Sequence, residues 1–82
     1  MIVLRISPRG QDFLELTKSE VDPCPMLVMM RMIEGKTVKL PFNSDIEGII
    51  DAIRKESPDT HIPGLAIAQA FIMGFLSFSE AA

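Results

Sequence analysis

Eighty-two residues, with eight Lys and Arg against eleven Asp and Glu, give a formal net charge of −3 and fit one domain. A chain this size buries only about 60–65% of the surface it exposes when unfolded, so small domains commonly need a disulfide, a metal or a partner chain. Cys24 is the only cysteine and His61 the only histidine, which excludes an intrachain disulfide and a closed zinc site and points to a reducing, cytoplasmic setting. The hydrophobic fraction of 48% is that of a folding chain, and without a basic stripe nucleic-acid binding lacks its electrostatic footprint.

The N-terminal segment is too short for a signal-peptide core, and Arg5 interrupts it. Residues 2–7 alternate, with Ile2, Leu4 and Ile6 on one face and Val3, Arg5 and Ser7 on the other, which predicts a strand. Pro8-Arg9-Gly10-Gln11 reads as a turn, and residues 12–18 as its return strand in preference to a short helix running toward Val21. Pro23 and Pro25 around Cys24 mark a loop. Residues 26–33 are an almost unbroken apolar run and read as a strand covered on both faces. Residues 36–40 alternate Lys or Thr with apolar residues, giving a second hairpin whose lysines point outward from an exposed edge.

Ser44-Asp45-Ile46-Glu47 reads as a capping box that opens a helix over residues 44–56. Ile46, Ile49, Ile50 and Ile53 form its apolar stripe. Early acids and late bases suit its dipole, and Ser57-Pro58 stops it. Residues 63–79 read as a second helix that is apolar all round. The expected fold is therefore α+β: a β-rich part over residues 2–42, with about four antiparallel strands in two hairpins, and two C-terminal helices packed on one face.

Few residues suggest chemistry. The glycines are isolated, and no nucleophile elbow, HExxH, EF-hand loop or CxxC is present. His61, two residues from Asp59, reads as a solvated loop histidine, since a general base needs a nucleophile or substrate beside it. Cys24 has no neighbouring cation to stabilise a thiolate. Capping and solvation account for Asp45, Glu47 and Asp51. Met26, Met29, Met30, Met32 and Met73 read first as core filling and second as an adaptable binding surface. No cofactor or metal is expected.

An all-apolar helix must be covered on every side, and one small sheet covers only part of it. The leading expectation is a non-catalytic protein-interaction module, a small regulator, adaptor or inhibitor. It would act as a homodimer through Ile67, Phe71, Phe75 and Phe78, with the edge near Lys36 and Lys39 open to a partner strand. The alternative is a binder of apolar small molecules or lipid, with its pocket between the sheet and the C-terminal helix. A tail-anchored membrane protein ranks third, because the apolar run from Ile62 to Phe78 is at the short limit for spanning a bilayer.

Overall fold

The computed structural model describes residues 1–41, 45–58 and 61–80. In chain order these form β1 (Ile2–Ile6), α1 (Pro8–Leu16), α2 (Pro25–Ile33), β2 (Val38–Leu40), α3 (Ile46–Glu56), α4 (Gly64–Ile72) and β3 (Leu76–Glu80). The expected α+β class holds. Its content is corrected: among the described residues there are four helices and one three-stranded antiparallel sheet, of order β2-β1-β3.

β1 is the central strand. Ile2 and Leu4 lie opposite Leu40 and Val38 of β2, and Leu4 and Ile6 lie opposite Phe78 and Leu76 of β3. These residues share the face that carries the core, and all four helices contribute buried residues to it. The other face carries Val3, Arg5, Lys39, Ser77 and Ser79. Arg5 Nε donates to Ser79 Oγ across that face at 2.8 Å.

Residues 8–16 are helix α1, not a turn and return strand. The reason is local: Pro8 occupies the first helical position, where its missing N–H costs nothing. Ser7 caps the helix by accepting from the Gly10 N–H at 3.2 Å. Leu14 reaches the core, and Thr17 closes the helix with its N–H on the Phe13 carbonyl at 3.1 Å. The N-terminus of α1 docks on the connection between α4 and β3. Ser7 N–H donates to the Phe75 carbonyl at 2.8 Å, Ser7 Oγ donates to the Gly74 carbonyl, and the rings of Phe13 and Phe75 stack at 4.5 Å.

Residues 26–33 are also helical rather than extended. Pro25 again sits in the first helical turn, behind Cys24 as N-cap. Met26, Met29, Met30 and Ile33 follow the i, i+3, i+4, i+7 spacing and are all buried, with Leu27 beside them. Met and Leu are good helix formers, whereas a central strand favours β-branched residues. Arg31 anchors the helix by donating to the Thr17 carbonyl at the end of α1. β2 consequently pairs with β1 and not with residues 26–33, so neither expected hairpin forms.

α3 follows most of its stripe: Ile49, Ile50 and Ile53 are buried, whereas Ile46, in the first turn, is exposed. Asp45 is its N-cap and accepts from the Gly48 N–H at 2.9 Å. Ser44 of the expected capping box lies outside the described residues.

The expected helix over 63–79 is really α4, a turn and β3. Gly74 has φ +78°, a left-handed conformation that L side chains rarely adopt. Its N–H donates to the Phe71 carbonyl at 3.1 Å, and Phe75 N–H donates to the Ala70 carbonyl at 2.8 Å. This pair of bonds is a Schellman stop, which turns the chain out of the helix. β3 then alternates Leu76 and Phe78 with Ser77 and Ser79. Gly74→Ala keeps space for its Cβ, with Arg9 Nη1 at 3.6 Å, so only backbone strain opposes it. The expected loss is about 1 kcal/mol, measured as a lower urea midpoint with an unchanged m-value.

Candidate protein-binding surface

The early stop at Gly74 resolves most of the apolar excess of the C-terminal segment. On its inner side α4 buries Ala66, Ile67 and Ala70 against α2 and α3. Phe75 and Leu76, beyond the stop, enter the same core. Ile67 is 0% exposed and Phe75 5%. Both are therefore interior residues, and the expected place of these two on an outward aromatic side is corrected. Phe71 is half-buried. Its ring packs on that of Phe78 at 4.9 Å, and Phe78 stays partly open at the β3 edge. The four residues thus divide between the core and the rim of the sheet and form no single surface.

The apolar residues that α4 does present are Leu65, 69% exposed, and Ile72, 85% exposed. Seven positions apart, they lie on one side of the helix, with Gln69 between them. A depression of about 340 Å³ adjoins Leu65, lined by Cys24, Pro25 and Met26 at the start of α2 and by Pro63, Leu65, Ala66 and Gln69 at the start of α4. Val28, one turn beyond Cys24, is also exposed. This lining holds no charged side chain, and it lies between two helices rather than between the sheet and α4. Sequence reasoning spread the apolar residues of 63–79 around one long helix, so Leu65 and Ile72 did not stand out. Their seven-residue spacing becomes informative only once the helix is known to end at Ile72.

The remaining candidates are dispersed. Lys36 is exposed, with Nζ donating to Ser57 Oγ at 3.0 Å; Lys39 is exposed on β2, an outer strand of the sheet. His61 is exposed, and Asp59, two residues before it, lies outside the described residues. Cys24 is exposed as the α2 N-cap, without a side-chain capping bond. Met26, Met29 and Met30 are core residues, Met32 is half-buried, and Met73 is exposed where α4 ends. Among the described residues no three His, Cys, Asp or Glu side chains gather as a metal site, and no helix is long and apolar enough to cross a membrane. Comparison with known proteins gives no matching family model, no matching curated relative and no matching solved structure.

Proposed function

We propose that the protein is a non-catalytic interaction module that associates with a second copy of itself through the outer side of α4 and the neighbouring end of α2. The observation that supports this reading is the exposure of Leu65 and Ile72 on one side of α4, with Leu65 at the rim of an uncharged apolar depression. Burying one such side chain contributes about 1.5–3 kcal/mol, so a two-fold contact that uses both from each copy has ample driving force before the cost of association. A two-fold interface is also self-complementary: the Leu65 of each copy can enter the depression of the other. The surface is set on packed helices whose inner sides are fixed in the core, so little ordering is needed on binding.

Dilution followed by amide NMR tests this reading. The expected result is concentration-dependent shifts at residues 24–28 and 64–73, with Arg5, Ser77 and Ser79 of the opposite sheet face unmoved. Shifts confined to the β2 or β3 edge, or none at any concentration, would refute it.

A further inference from the structure

The charge distribution carries a second interaction surface, independent of the first. β2 is an outer strand, and cationic side chains gather around it. A depression lined by Arg5, Lys36 and Thr37 lies at one end of β2, where the ladder with β1 stops at the Leu4–Val38 pair. A second, lined by Lys39, Lys55, Glu56 and again Thr37, runs between β2 and α3. Thr37 borders both. Three of the chain's eight Lys and Arg residues, Lys36, Lys39 and Lys55, thus lie on the β2 side of an acidic protein, with Arg5 behind them on the central strand, where its Nε turns to Ser79 of β3, and with Glu56 as the one acid in the two linings. None of the three lysines is in an ion pair among the described residues, where the one salt bridge joins Glu15 on α1 to Lys18 in the turn after it.

We infer that the β2 edge is a docking site for an acidic, extended polypeptide segment, which adds as a strand beside Val38–Leu40. Two features select this occupant. The outer side of an edge strand presents backbone N–H and C=O groups that an incoming strand can pair. The surrounding cations favour carboxylates, and they repel a second copy of the same edge. The lysines that prevent two β2 strands from joining therefore act as a charge filter for a complementary one. A single-stranded nucleic acid would meet the cations, but neither depression is lined by an aromatic side chain on which its bases could stack.

The test is fluorescence anisotropy with a labelled peptide that alternates Glu with Val or Thr. It is run beside its Gln counterpart, a backbone N-methylated version and a single-stranded oligonucleotide of similar length. Binding of the Glu peptide should weaken about tenfold or more in Lys39→Glu/Lys55→Glu, less in the neutral Lys39→Gln/Lys55→Gln, and not in Lys18→Glu outside the rim. The Gln and N-methylated peptides should each bind markedly less well, and added salt should reduce the Glu-peptide affinity. Equal affinity for the N-methylated peptide would overturn strand addition. Equal or tighter oligonucleotide binding, or no loss in either folded rim variant, would overturn the acidic-polypeptide assignment. Neither arm depends on Leu65 or Ile72, so failure here leaves the α4 surface to its own test.

Discussion

Replacing Gly10 with alanine should destabilise the protein by about 2–3 kcal/mol, although the same change elsewhere in a helix usually stabilises it by about 0.5–1 kcal/mol. The reversal comes from tertiary packing. Gly10 is buried in the first turn of α1, and an added Cβ would fall directly on the Phe75 carbonyl oxygen. It would also approach Ile6 Cγ2 at 2.8 Å and Met30 Cε at 3.0 Å. The methionine end can swing away. The carbonyl cannot, because it accepts the Ser7 N–H and belongs to the turn fixed by the Schellman bonds. Relief requires α1 to lift from the α4–β3 connection, which weakens both Ser7 bonds and the Phe13–Phe75 stack together. For a domain of this length, with a total stability of roughly 4–12 kcal/mol, that is a large share. Urea denaturation checks it; a Gly10→Ala chain as stable as the parent would show that α1 does not dock as closely as described.

Two isoleucines on different sides of α4, Ile67 and Ile72, should respond in opposite ways. Ile67 is fully buried among α2, α3 and the sheet, and Ile67→Ala leaves a cavity that should cost about 2–5 kcal/mol. Ile72, 85% exposed, should tolerate even Asp with a stability change within about 0.5 kcal/mol per folded monomer. Thermal unfolding at low protein concentration separates the two, since any contribution from association is then minimal. A large loss at Ile72 together with a small one at Ile67 would mean that α4 is rotated relative to its described face.

The elements read correctly from sequence are those whose pattern belongs to a single period. β1 places Ile2, Leu4 and Ile6 on one face, with Val3 the one apolar residue among those on the other, and α3 carries isoleucines at helical spacing between polar residues. The errors arose where an apolar run masks its own period. In α2, Met26, Met29, Met30 and Ile33 hold helical spacing, but Leu27, Val28 and Met32 fill the positions between them. The informative signals there were Pro25 at the helix start and the absence of β-branched residues other than Val28 and Ile33. Ser7-Pro8 carries the same N-terminal information for α1, in competition with the turn signal of Pro8 and Gly10.

The C-terminal segment shows how one glycine redistributes a surface. Reading through Gly74 produced a helix too apolar to bury; stopping there returns Phe75 and Leu76 to the core. The inferred need for a partner then rests on Leu65 and Ile72 instead of on Ile67 and Phe75. The prominence of Lys39 was legible from its alternation with Val38 and Leu40. Its grouping with Lys55 was not, because it depends on α3 packing against β2.

The most direct test of self-association through α4 is the solution mass, by light scattering after size exclusion, of the parent chain and of Leu65→Asp/Ile72→Asp over a range of concentrations. The account predicts that the parent approaches twice the 9.1 kDa chain mass as concentration rises, while the double variant stays monomeric and folded. A parent that is monomeric throughout, or a double variant that dimerises as the parent does, would contradict it.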